Sequence, residues 1–212
     1  MDMTSDCYSE NLEALIRSGK VAETDLDRAV TNILRTKMKL GLFEHPYRTD
    51  EEKEKRTILK PEFRELALRS AEESIVLLKN ESVLPLRKDT RIGIVGELAG
   101  LRTEMTGTWA IKANGEDCIS ILDACEIQKR NYVAYTEEEV LSSDSLEKLF
   151  AECDVIAAVV GERKNESGEA ASRTNIDLSD MQKMLVQRLS ELEKPLITVL
   201  FNGRPLAIGE LK

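Results

Sequence analysis

Val155-Ile156-Ala157-Ala158-Val159-Val160 runs six residues without a polar break and stops at Gly161. A strand with one wet face alternates apolar and polar residues; an unbroken run of this length suits a strand covered on both faces, as in parallel sheets. Leu196-Ile197-Thr198-Val199-Leu200-Phe201 is of the same kind. Between the two, Ser179-Asp180-Met181-Gln182 reads as a capping box that opens a helix reaching Leu192. Upstream, Ile92-Gly93-Ile94-Val95 predicts a strand ending at Gly96, Tyr132-Val133-Ala134-Tyr135 another, and Ser145 to Glu152 a helix. Strands alternating with helices predict an α/β fold, an open and mainly parallel sheet sandwiched by helices. No internal repeat is present.

The first third of the chain reads differently. Residues 9–18 predict a short helix stopped by Gly19. Thr24 suits the cap of a second, with Asp25 and Asp27 at the positive end of its dipole. Leu26, Ala29, Val30, Ile33 and Leu34 follow at helical spacing, and Gly41 closes the segment. Two helices of this size do not bury their apolar faces alone, so they are expected to pack on something larger. Glu44-His45-Pro46-Tyr47 then reads as a turn, and Asp50 to Arg56 as a solvated charge run, which makes 44–60 the best linker. A third helix is expected to begin near Pro61 and lead to a short extended run, Ile75 to Leu78.

Composition narrows the function. At 212 residues the chain is long enough for a real core. A net charge of −9 disfavours nucleic acid, whose phosphates need a basic surface. No apolar run reaches the ~20 residues of a membrane helix, so no membrane span is expected. Met1-Asp2-Met3-Thr4-Ser5-Asp6 has neither the basic region nor the apolar stretch of a secretory signal. Cys7, Cys118, Cys125 and Cys153 form no CxxC pair and lie far from the single histidine, His45, so no metal site is expected. Free thiols suit a reducing, cytoplasmic compartment.

Ligands of open α/β sheets sit beyond the carboxyl ends of the strands. The first place to look is therefore the loop after Val160, which holds Glu162, Glu166 and Glu169 beside Arg163 and Arg173. A mobile charged loop is one reading. The other is a general acid, a glutamic acid that protonates a leaving oxygen; glycoside cleavage needs such a group and a second carboxyl. Trp109, the only tryptophan, stands among small residues in Gly107-Thr108-Trp109. It is either a platform for the apolar face of a sugar ring or a packing anchor. Gly93, Gly96 and Gly100 depart from GxGxxG spacing and read as a tight strand exit rather than a nucleotide-binding turn.

Taken together, these stretches resemble glycoside hydrolase family 3, the β-glucosidases, β-xylosidases and related exo-acting enzymes. In order they are Leu26 to Val30, Leu40 to Tyr47, Ser74 to Asn80, Leu84-Pro85-Leu86, Ile94-Val95-Gly96, Gly107-Thr108-Trp109, Val159 to Glu162, Ser167 to Arg173 and Phe201 to Leu206. The resemblance implies that residues 1–43 are the end of a (β/α)8-type barrel, 44–73 a connection and 74–212 most of an α/β sandwich domain. It implies a retaining exo-β-glycosidase that uses no organic cofactor and whose nucleophile, an aspartate in a Ser-Asp-Trp-like barrel segment, has no counterpart here. Asp6 follows a serine but precedes Cys7. Gly209-Glu210-Leu211-Lys212 stops where the family continues through further strands. By the same resemblance Glu169, in Ser167-Gly168-Glu169, is the acid/base, with Glu166 and Glu162 as fallbacks, and Trp109 and Arg173 contact substrate. Partners would be a small oligosaccharide or glycoside and the missing barrel, with self-association where neither covers the chain. The alternative is a non-catalytic α/β module that only binds carbohydrate or protein.

Overall fold

The computed structural model describes residues 3–142, 144–209 and 211. Met1, Asp2, Glu210 and Lys212, at the two ends considered above, lie outside the described residues. The chain divides into two compact units, residues 1–76 and 77–212.

The first unit is helical: α1 (Cys7–Arg17), α2 (Glu23–Lys39), α3 (Glu51–Thr57) and α4 (Pro61–Ser74). No side chain of the four helices is buried. Ala22, not Thr24, stands at the cap of α2, and no side chain satisfies that end. Glu23 and Asp25 in the first turn and Lys37 and Lys39 in the last still match the helix dipole. The solvated charge run folds as helix α3. Asp50 caps it by accepting from the Lys53 amide at 3.0 Å, and acidic residues lead while Lys55 and Arg56 close. Pro61 opens α4 as its sequence position predicts. Ile75 to Leu78 belongs to no strand of the structure and is exposed.

The second unit is the α/β body. Strands β1 (Ile92–Val95), β2 (Tyr132–Tyr135), β3 (Val155–Gly161) and β4 (Leu196–Phe201) form one parallel sheet in the order β2-β1-β3-β4. Helices α5 (Ile121–Ile127), α6 (Glu137–Ser142), α7 (Ser145–Glu152) and α8 (Asp180–Ser190) make the crossovers. On one face Val95, Ile156, Ala158 and Val160 pack with Val140, Leu149, Leu185 and Leu189 from α6, α7 and α8. On the other, Ile92, Ile94, Val155 and Val159 pack with Leu98 and Ala99, joined by Ile121, Leu122 and Cys125 of α5. Successive residues of β3 thus enter opposite cores, which is why its sequence has no polar alternation.

This strand order fixes where a ligand fits. From β1 the chain goes to β2 on one side, and β3 lies on the other, so the carboxyl ends of β1 and β3 flank the switch point. Both strands leave through glycine. Gly96 has φ +123° and a side-chain carbon there would stand 2.1 Å from the Val159 carbonyl oxygen; Gly161 has φ +134° and would meet the Phe201 oxygen at 1.9 Å. Only glycine lets the backbone turn at such close approach. A short 3₁₀ turn, Glu97–Ala99, follows Gly96.

No helix of the described residues is long and apolar enough to cross a membrane. The four cysteines are free thiols. Burial raises the thiols of Cys125 and Cys153 above their ordinary value.

Candidate active site

Glu97 after β1, Glu137 after β2 and Glu162 after β3 line one cleft of about 320 Å³ at the carboxyl end of the sheet, together with Arg163, Glu166 and Arg173. The β3–β4 ladder extends one residue further through the Glu162 amide, which donates to the Phe201 carbonyl at 2.8 Å. That bond sets Glu162 at the cleft floor, where its side chain is 2% exposed.

Two arginines meet this buried carboxylate. Arg173 Nη1 donates to Glu162 Oε1 at 2.8 Å, and Arg204 Nε lies 3.1 Å from the same oxygen, outside hydrogen-bonding alignment. Glu162 Oε2 is buried with no hydrogen-bond partner among the described residues. Arg173 also reaches Glu166 Oε1 at 3.3 Å and gives Nη2 to the Asp177 carbonyl at 3.1 Å. Arg204 donates Nη2 to the Glu166 carbonyl. A charge removed from water needs such partners, and guanidinium forks supply them.

The loop is held from a second side. Glu166 Oε2 accepts from the Arg163 amide at 2.7 Å, and Glu104 Oε2 from the Lys164 amide at 2.6 Å. The Arg163 guanidinium pairs with Glu97, and the Thr108 hydroxyl donates to the Ser167 carbonyl. Residues 162–167 are therefore fixed by β1-side and β4-side groups alike.

Glu169 comes just after these ties. It is exposed, and its carboxylate has no ion-pair or hydrogen-bond partner among the described residues. Trp109, adjacent to the Thr108 that binds Ser167, is 71% exposed. The structure thus brings Glu162, Glu166 and Arg173 into one ion-paired cluster and leaves Glu169 and Trp109 open to solvent on neighbouring loops.

The turn below Trp109 has its own anchor. Arg102 grips Asp123 through two 2.7 Å bonds, Nε to Oδ2 and Nη2 to Oδ1. These bonds, then those from Ser120, hold the Asp123 carboxyl well below the usual carboxylate range. Among the described residues no group of three or more His, Cys, Asp or Glu side chains is arranged to hold a metal ion.

Sequence reading missed Arg204, Glu97, Glu104 and Thr108. Arg204 carried a signal: it follows β4 as Glu162 follows β3, and adjacent parallel strands deliver their exits to one place. The other three depend on loop paths that no local pattern encodes.

Residues 75–212 match the model of the glycosyl hydrolase family 3 C-terminal domain. Over 98% of its length the chain is 32% identical to a periplasmic β-glucosidase of Salmonella typhimurium, and covers 32% of that protein. It is 33% identical to a β-xylosidase of Formosa agariphila over 87% of its length, 27% of that protein. Its structure superposes on a β-glucosidase from Listeria innocua with a TM-score of 0.87 at 35% identity, over 100% of this chain and 30% of that one. The chain thus spans about a third of the length of these relatives. The matched sandwich domain and the identities across nearly the whole chain lead to one conclusion: the chain belongs to glycoside hydrolase family 3.

Proposed function

We propose that this chain supplies the acid/base side of a retaining exo-β-glycosidase acting on terminal β-linked sugars, with Glu169 as the acid/base. One observation carries the choice. Of the three loop carboxylates, Glu162 and Glu166 are engaged by arginines and backbone amides, and Glu169 alone is free to meet a substrate. A group that must give and then take a proton at a leaving oxygen cannot be locked in an ion pair.

In this reading residues 1–43 belong to the end of a barrel, 44–73 connect, and 74–212 form the sandwich domain. A barrel aspartate attacks the anomeric carbon. Glu169 protonates the departing oxygen, and its carboxylate then takes a proton from water as that water opens the glycosyl-enzyme. Trp109 lies on the loop tied to the acid loop, a position suited to stacking on the leaving sugar. The substrate is a small oligosaccharide or glycoside; the sequence has no Ser-Asp-Trp segment to supply the second carboxyl, so the chain by itself hydrolyses nothing.

The test is Glu169→Ala in a protein that joins this chain to a family 3 barrel. Turnover of alkyl glycosides should fall by about 10²- to 10⁴-fold, the worth of general acid catalysis. Cleavage of the glycosyl bond in dinitrophenyl glycosides should survive, because that leaving group departs unprotonated. Azide should restore part of the rate and yield a β-glycosyl azide. Near-normal alkyl glycoside turnover, with the rescue pattern in Glu166→Ala or Glu162→Ala, overturns the assignment of Glu169. A joined protein in which no glutamate matters, but which still binds carbohydrate, is the binding module.

A further inference from the structure

The cleft holds more carboxylate than the proposed chemistry uses. Glu162 lines the cleft floor but is buried, so it is not the carboxylate most open to a substrate. Its partner Arg173 lies four residues beyond Glu169 in the same loop. A guanidinium in the same loop is a cation that Glu169 could pair with, and such a pair would disable an acid. In the structure Arg173 has no such freedom. One of its terminal nitrogens is shared by Glu162 and Glu166, and the other is given to the Asp177 carbonyl.

We propose that Glu162, assisted by Glu166, is a positioning residue that saturates Arg173 and thereby keeps the Glu169 carboxyl unpaired. This rests on the reading of Glu169 as the acid. Two features favour it over simple burial of an ion pair. The pairing is redundant, with two carboxylates on one Arg173 nitrogen, more than fixing a loop requires. A second arginine, Arg204, shares Glu162 and also holds the Glu166 carbonyl, so both decoy carboxylates stay in place together. Glu169, two residues past the last tie at Ser167, is outside this arrangement.

Carboxylate footprinting on the chain itself tests this. Carbodiimide coupling to an amine, mapped by mass spectrometry, modifies free carboxylates and spares ion-paired ones. In the wild-type chain Glu169 should be labelled readily, with Glu162 and Glu166 protected. In Glu162→Gln/Glu166→Gln, which takes both carboxylates from Arg173, that guanidinium should turn to Glu169 and reduce its labelling about two- to five-fold, the range an exposed ion pair gives. Adding Arg173→Gln should restore Glu169 labelling, a reversal that mere loss of structure does not produce. Glu162→Asp, which keeps the charge, should behave as wild type. Should the double variant fail to fold, Glu162→Met/Glu166→Gln decides, since an apolar side chain of similar size fills the buried position without leaving a polar group there unpaired. Unchanged Glu169 labelling in a folded Glu162→Gln/Glu166→Gln chain, or in Glu162→Met/Glu166→Gln where the former does not fold, overturns the proposal. That readout needs no turnover, so it fails independently of the acid assignment, which the glycoside assay decides.

Discussion

Trp109 shows what one residue's surroundings decide. An indole worth burying contributes through the area it hides, and this one hides little at 71% exposed. Its truncation should therefore leave the fold almost untouched. We expect Trp109→Ala to change the melting free energy by less than ~0.5 kcal/mol, the usual bound for surface substitutions. In the joined barrel-containing protein it should slow disaccharides more than aryl glycosides, because an aryl leaving group does not need a sugar platform. Equal losses on both substrates with a lowered Tm would instead make Trp109 a packing residue. Its sequence setting among small residues left both roles open, and these two readouts separate them. The loop glutamates differ in the same way. Their presence after a strand was legible at once, since Val155 to Val160 announces a buried strand and ligands gather at such ends. Which of them is free was not legible, because that depends on Arg204, 42 residues beyond Glu162 and brought to it only by the β3–β4 register.

Helix α5, like α6, is an element that sequence reading passed over, and its anchoring explains its role. Its seven residues are too short a stretch to show a period, and its start is set by Ser120 and Asp123 in a reciprocal capping box. Arg102 then ties Asp123 to the 3₁₀ turn at Arg102–Thr106, which leads to Trp109. The helical state of the charge run is hidden for a related reason: α3 is specified by its Asp50 cap and charge order, not by apolar spacing. Strands β1 to β4, by contrast, announced themselves because each is filled with residues that both cores need. The Arg102–Asp123–Ser120 anchor predicts an acid response. Folding lowers the Asp123 value, so its contribution is fully present above the ordinary carboxylate value, ~3.9, and is lost as pH falls from there through the folded-state value. Thermal melts of wild type and Asp123→Asn should thus differ most near neutral pH. The gap should narrow progressively below about pH 4. A gap that is constant from pH 7 to 3 would place the stabilisation in shape rather than charge.

At the scale of the whole molecule, exposed apolar surface sets behaviour in solution. In the helical unit, Val30, Ile33 and Leu34 of α2 and Phe63 and Leu66 of α4 are all more than two-fifths exposed. Ile75 and Val76 close that unit and Leu77 and Leu78 open the next, four exposed apolar residues in a row. In the α/β unit, β4 pairs only with β3 among the described strands, and all six of its residues are half-buried. Helical spacing in the sequence already required a cover for α2; the half-burial of β4 did not follow from its residues, which match those of the central β3, because position in a sheet is a property of pairing. Apolar patches of this kind and an open strand edge both favour association. We therefore expect the purified chain to self-associate at micromolar concentration or to bind a hydrophobic dye strongly, with no glycosidase activity in either state. Joining it to a family 3 barrel should suppress the dye signal if the barrel supplies the cover that the family reading assigns. A dye-silent monomer with a sharp, cooperative melt would mean that these faces are satisfied within the chain, and sedimentation at several concentrations separates that case from association.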